Sequence, residues 1–471
     1  MSFKVSLAKF CYFVFSVILI LISCFVPLTN DGGYFVLAIL STVTLLLFIV
    51  FNGKITGTYF NYSLIFIVIL FLFNFGQVIL MGFFEELTVN KTIVLKLINY
   101  RDVMYSFRYI VIAFECLCLG ILLVSWKNRK NLSVPQKENS IYKKERKLAW
   151  TIICVTFPIK LFIDAIYLYL SLSAGASVGA AFLSGFPNFI VAYGNMAVIG
   201  ACLLIVSFSN EPPRQLIALL ISAGYFFILM IGGRRSQNVV YVVLLFFLYI
   251  KTNKKKINFP RIIGIAILAY FVLVFLYTIV SNRVFVGEQS ISGFWDAYFK
   301  TLKESDILVE TLREYGNTGY TAVCVIAYWL RNYNCTYGLS ILKSTTAIFP
   351  NIGGIAGRLT QEGNFAIQLQ QHKMLSEGYY NIGGSLLGEL FFNFDIVGGV
   401  IAAFGVGICI GWLNSKIQNK LDHEDYLALS NYVPAMIAVT YWVRDVFGGG
   451  IRTIVWGVLF MYFCRKIFVR R

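Results

Sequence analysis

A chain of 471 residues that is 58% hydrophobic, 17% aromatic and only 13% charged lies outside the range of a soluble globular protein. Its net charge of +17 at pH 7 sits mainly between apolar runs, where it serves attraction to anionic lipid headgroups and requires no nucleic-acid partner. Ten cysteines, mostly inside apolar runs and without C-x-x-C pairs, exclude a zinc module and read as small apolar residues; Cys324 and Cys335 alone share a polar segment in which a disulfide could form.

In chain order, runs that match the roughly 20 residues needed to cross a bilayer fall at 10–28, 33–52, 62–83, 108–126, 149–172, 188–208, 215–232, 237–250, 260–280, 394–413, 427–443 and 453–468. They predict an all-α polytopic protein of about twelve transmembrane helices, the eighth of them short, forming a single integral membrane domain over 1–471. The first run follows Lys4 and Lys9 and has no small-x-small cleavage site, which marks a retained span rather than a removed signal peptide. With both termini in the cytoplasm, the basic segments 127–147 (eight Lys/Arg), 251–261 (five) and 465–471 (four) all fall on the inner side, as the positive-inside rule requires.

Two outer segments are long: 84–107, and 281–382 before the tenth helix. A structureless connection as long as the second is improbable unless it is functional, so a large, partly helical extracytoplasmic loop is expected there. Its apolar stretch 320–330 is too short to cross and reads as an interfacial or re-entrant helix. Its tyrosines and tryptophans suit membrane anchoring and also stacking on sugar rings.

The stretch "GGRRSQ" (232–237) joins helices seven and eight on the outer side and sinks Arg234 and Arg235 at the membrane boundary. A charge at that depth either faces a watery interior and is functional, or snorkels to headgroups. Arg283, Arg358, Arg444 and Arg452 map to the same level, so six guanidiniums could converge on one anion site. Glycines accompany three of these sites, at Gly232–Gly233, Gly353–Gly354 with Gly357, and Gly448 to Gly450, leaving backbone N–H groups open to a ligand. Ser236 is the expected N-cap of helix eight. Arginine suits phosphate or pyrophosphate because its fork makes paired charge-assisted bonds and stays protonated when partly desolvated.

The run "GGSLLGELFFNFD" (383–395) would make helix ten too long for the hydrocarbon, so it is expected to rise above it with Glu389 at the outer boundary. Glu389 there could orient an arginine, accept a proton, or sit in a structural ion pair. Gly384 and Gly388 resemble a helix-packing face. His372 in the long outer loop could act as a base, although a solvated loop histidine is the commoner case. Lys160 and Asp164 share a face of helix five and read as a buried pair with each other or with Glu115. The acidic "DHED" (422–425) reads as a solvated turn. No metal or cofactor is called for, and the chain has no Walker loop and no H-E-x-x-H.

Four stretches, "IGGRRSQNVV" (231–240), the long loop before helix ten, "GGSLLGELFFNFDIVGG" (383–399) and "VRDVFGGGIRTIVW" (443–456), together resemble the O-antigen and related polysaccharide polymerases of Wzy type. The resemblance implies a GT-C-like multi-spanning glycosyltransferase in the bacterial cytoplasmic membrane, with its active site facing the periplasm or exterior. Such enzymes transfer a growing glycan from undecaprenyl pyrophosphate to the non-reducing end of a lipid-linked repeat unit. Membrane lipids and a chain-length regulator protein are further partners it implies. Carried over residue by residue, it assigns Arg234 or Arg235, Arg444 and, less directly, Arg452 to pyrophosphate, matches Glu389 to the family's acidic position, and places His372 where some relatives have a loop histidine. Arg235, Arg444, Glu389 and His372 are the catalytic candidates; Arg234, Arg283, Arg358 and Arg452 complete the pyrophosphate set. Two alternatives stay open: an O-antigen ligase, which would rely on His372, and a flippase for the same lipid-linked sugar. A flippase favours internal repeats and charge along a central cavity, and neither is visible in the sequence.

Overall fold

The computed structural model describes residues 3–27, 32–84, 100–126, 139–185, 188–253, a few positions between 271 and 278, then 291–304, 307–332, 335–351, 354–367 and 383–468. Every regular element among them is a helix. In chain order these are α1 (Phe3–Cys24), α2 (Gly32–Thr56), α3 (Tyr62–Phe83), α4 (Tyr100–Val124), α5 (Asn139–Ala174), α6 (Ala176–Gly185), α7 (Asn188–Asn195), α8 (Ala197–Ser207) and α9 (Pro212–Ile231). They continue with α10 (Arg235–Thr252), α11 (Ile291–Glu304), α12 (Ile307–Asn332), α13 (Leu339–Ser344), α14 (Ile355–Gly363), α15 (Leu386–Asp422), α16 (Tyr426–Leu429), α17 (Val433–Trp442) and α18 (Phe447–Phe468). Nine helices among the described residues are long and apolar enough to cross a membrane, and Gln237–Thr252 is a shorter apolar one. The protein is therefore an all-α polytopic membrane protein. Most of the expected ninth span, 260–280, lies outside the described residues, as do Arg283 and His372.

The helices cluster into two compact units. One comprises Met1–Asn131, Leu312–Asp422 and Ala438–Arg452, and the other Leu132–Thr311, His423–Ile437 and Thr453–Arg471. In the first unit α4 lies along α15, backbone close to backbone. A Cβ at Gly407 or Gly411 would strike the carbonyls of Leu117 and Ile121, and one at Gly120 the carbonyl of Phe404. Small residues permit this approach where lipid gives helices no hydrophobic reason to associate. The same device seats α12 on α3 through Gly316 against Gly76 and Gly319 against the Asn74 carbonyl. The apolar stretch 320–330 consequently does not stand alone as an interfacial helix. It is the second half of a 26-residue helix whose residues 318–327 are buried. The polar first half, with Glu310, Arg313, Glu314 and Asn317, hid that length from a reading based on hydropathy.

α15 has 37 residues, too long at 1.5 Å each for a hydrocarbon core of about 30 Å. The rod breaks at Asp395, whose φ of 59° and ψ of −164° are non-helical. Residues 386–394 thus form a separate buried helix and the longer rod follows, close to the expected start of that span at 394.

In the second unit α9 opens on Pro212 and Pro213, which lack the N–H groups the first turn cannot use. It ends at a turn where Gly233 takes a φ of 105°. That left-handed residue brings the chain round early, so α10 begins at Arg235 with Arg234 at the N-cap and no capping side-chain bond. Ser236 is therefore inside the helix and is not its cap. Cys324 and Cys335 are free.

Candidate functional site

The second unit gathers Arg234 into a buried ionic cluster. Asp164 on α5 is 2% exposed and uses both carboxylate oxygens. Oδ1 accepts from Arg234 Nη1 at 3.0 Å. Oδ2 pairs with Lys160 Nζ at 2.8 Å and accepts from the Tyr225 hydroxyl at 2.7 Å. Lys160 also donates to Asn195 at 3.2 Å, and Arg234 Nη2 to Gln237 at 3.2 Å. The Arg234 guanidinium lies 5.3 Å from the Tyr167 ring centre, and the Tyr167 hydroxyl donates to the Gly232 carbonyl at 2.9 Å, fixing the turn that carries the arginine. The expected Lys160–Asp164 pair is present, and Arg234 has joined it. Glu115 belongs to another network, accepting from Thr44 at 3.3 Å and Ser23 at 3.4 Å.

Charge is unbalanced here. One carboxylate faces two cations, and Lys160 alone would neutralise it. The Arg234 side chain is 18% exposed. Two of its five N–H donors are engaged by Asp164 and Gln237. An arginine so placed is rigid, and its charge is available to an anion. Of Arg235 the structure describes the backbone, at the first residue of α10.

The first unit builds a different arrangement. Glu389 is fully buried in the first turn of α15. Its Oε2 accepts from the Trp442 indole N–H at 2.6 Å and from the backbone N–H of Phe447 at 2.9 Å, while Oε1 has no hydrogen-bond partner. One carboxylate oxygen thereby pins both ends of the turn between α17 and α18 and caps the positive end of α18. That turn carries Arg444 and Asp445. Arg444 has no carboxylate within ion-pair distance among the described residues, and its guanidinium lies 5.5 Å from the Phe73 ring centre. Asp445 is partly buried, and burial pushes its carboxyl up to about 6 while the Val446 N–H pulls it back. Gly384 lies against the Asp445 backbone with no room for a Cβ. Glu389 thus stands in neither an arginine pair nor a solvated boundary position. It is buried and holds the turn.

The remaining candidates divide. Arg452 Nε donates to the Ala347 carbonyl at 2.7 Å, tying α18 to the 3-10 turn Thr345–Ile348. α14, which carries Arg358, packs on the same turn through Thr346 and Thr360 at 3.0 Å. Arg358 itself is 76% exposed and 3.7 Å from Glu362, which Lys343 already holds at 2.9 Å. "DHED" is a working turn: Asp422 accepts from Gln418 at 2.7 Å, Asp425 caps α16 through the Ala428 N–H at 3.1 Å, and Glu424 accepts from the Tyr142 hydroxyl. Sequence reasoning missed Asp164 and Tyr225 as partners of Arg234, and Trp442 and Asp445 around Arg444. The adjacency of Asp445 to Arg444 was a usable signal for one of them; nothing local marked the others.

An all-helical membrane protein thus holds one arginine in a buried ion pair and another, on a carboxylate-pinned turn, with no carboxylate partner among the described residues. The chain belongs to the O-antigen polysaccharide polymerase Wzy family, whose model matches residues 10–471, and this agrees with the expected resemblance. No curated protein and no solved structure matches it. Members of the family act on lipid-linked repeat units in membranes, and an O-antigen polymerase role follows for this chain.

Proposed function

We propose that the chain transfers a growing glycan from undecaprenyl pyrophosphate to the non-reducing end of an incoming lipid-linked repeat unit, at the outer face of the bacterial cytoplasmic membrane. The observation that carries this is Arg444: partly buried, without a carboxylate partner among the described residues, and adjacent to the glycine-bearing first turn of α18. A desolvated guanidinium beside a helix N-terminus is a site for a phosphate-class anion. Arg234, with its surplus charge, is a second such site in the other unit. The reaction handles two lipid-linked pyrophosphates, one on the donor and one on the acceptor.

In the step itself the acceptor hydroxyl oxygen bonds to the donor's anomeric carbon, and the bond from that carbon to the pyrophosphate oxygen breaks. The electron pair departs with the lipid pyrophosphate, where arginine stabilises the developing charge. The hydroxyl proton passes to a carboxylate, and Asp445 beside Arg444 is suited to receive it. Glu389 acts as a positioning residue through the turn it pins. Arg235, Arg283, Arg358, Arg452 and His372 remain candidates for the substrate groups that these residues do not reach.

Purified protein incubated with undecaprenyl-pyrophosphate repeat units, without ATP, is expected to give a ladder of lipid-linked glycans spaced by one repeat. Movement of intact substrate across a liposome membrane with no ladder would replace this reading with a carrier.

A further inference from the structure

The second unit holds a cavity of about 420 Å³ between α5, α8 and α9, walled by Trp150, Phe157, Leu204, Ile217 and Ile221. It is large enough for a ligand and almost wholly apolar. Its open side is formed by side chains that face outward: Trp150 is 51% exposed, Ile217 55% and Ile221 69%.

Its two ends differ in a way that specifies an occupant. At one end stands Arg214, with Arg146 close by and stacked 4.6 Å from the centre of the lining Phe208 ring. Both arginines share Glu211, each at 2.5 Å. The adjoining turns of α5 add Lys143, Lys144 and Lys147 against Glu145 and the Glu424 that accepts from Tyr142, so the mouth keeps a net positive charge. At the other end the cavity closes on Lys160, Tyr225 and Phe226. From Arg214 to Tyr225 along α9 the rise is roughly 16 Å at 1.5 Å per residue. That is about half of a 30 Å hydrocarbon core, the depth of one leaflet.

We infer that this groove is a binding site for an anionic phospholipid, one acyl chain lying along α9 and its phosphate meeting Arg146 and Arg214. A depth of one leaflet suits an acyl chain and does not contain the much longer polyprenyl tail of the substrate. The cationic mouth selects an anionic headgroup over a zwitterionic one. By the charge pattern of 127–147 and 251–261 this is the cytoplasmic leaflet. The groove is lined by neither Arg234 nor Arg444, although its closed end rests on Lys160 and Tyr225, which also hold the Asp164 that pairs with Arg234.

The test is native mass spectrometry of the full chain released from detergent, offered phosphatidylglycerol, phosphatidylcholine or undecaprenyl phosphate, the two phospholipids with identical acyl chains. Wild type is expected to retain one phosphatidylglycerol per chain. Ser222→Trp, which fills the groove, should lower occupancy about tenfold, roughly 1.4 kcal/mol. Arg214→Ala should remove the preference over phosphatidylcholine while leaving a chain bound. Should Ser222→Trp fail to fold, phosphatidylglycerol brominated on its acyl chain should quench tryptophan fluorescence in wild type, and Trp150→Phe should lose that quenchable component. Equal retention by wild type and Ser222→Trp, unchanged quenching in Trp150→Phe, or preferential retention of undecaprenyl phosphate would each overturn the assignment.

Discussion

Arg234 and Arg444 are held in opposite ways. Arg234 is fixed by charge: its carboxylate partner Asp164 lies 70 residues away, is shared with Lys160, and sits among tyrosines. Arg444 is fixed by backbone: Glu389 grips the Trp442 indole and the Phe447 N–H on either side of it and leaves the guanidinium without a carboxylate partner among the described residues. An ion-paired arginine is rigid but must compete for its charge, whereas an unpaired one keeps its full charge and depends on a remote clamp for its place. The comparison separates roles that sequence alone would merge under one heading of buried arginine.

The contrast is broken most directly at Arg444. Arg444→Ala is expected to reduce polymerisation at least about a hundredfold, the usual loss when one donor to a developing anion is removed. Expression and insertion should persist, because among the described residues the guanidinium forms no ion pair and rests on the Phe73 ring. Ladder gels beside membrane-fraction blots read both quantities.

Next come the two members of the other cluster, which should separate stability from activity. Asp164→Ala leaves Lys160 and Arg234 without their anion and is expected to cost about 3–5 kcal/mol, read as a lowered thermal midpoint in detergent. Arg234→Ala leaves the Lys160–Asp164 pair intact and should shift the midpoint much less while lowering polymerisation. Equal destabilisation by both variants would make Arg234 a structural partner only.

Glu389 is expected to give a smaller effect. Glu389→Ala strips the Trp442 and Phe447 N–H groups of their acceptor at a cost of about 1–3 kcal/mol, and polymerisation should fall because the turn loosens. Glu389→Gln keeps a carbonyl acceptor and should recover most of the activity, which a proton-transfer role for Glu389 would forbid.

The smallest effect concerns pH. Burial raises the Asp445 carboxyl to about 6, so its charged, proton-accepting form accumulates only above that value. Polymerisation should therefore rise from pH 5 to 7 with a midpoint of about 6, modestly, because pyrophosphate is a good leaving group and needs little help from a base. Asp445→Asn should flatten that limb.

Much of the architecture was legible. Long apolar runs announce helices in lipid because each must satisfy its own backbone hydrogen bonds there. The short eighth helix and the Lys160–Asp164 pair were also readable, the latter because i,i+4 spacing puts both on one face, whereas the break at Asp395 was not. Nor was α12, because the polar residues of its first half depress the hydropathy that reveals a span. Ser236 failed as a cap because the left-handed Gly233 shifted the start of α10, a matter of one residue that composition does not encode.

By itself the sequence determined the helical class, the membrane setting, the family resemblance and the set of arginines worth asking about. Each follows from local composition or from short motifs. Only the tertiary structure decided that Asp164 holds Arg234, that Glu389 acts on a turn rather than on an arginine, and that Arg444 is left without a carboxylate partner among the described residues. Those contacts join residues about fifty to seventy positions apart, where chain proximity says nothing and only helix packing brings donor and acceptor within hydrogen-bonding reach.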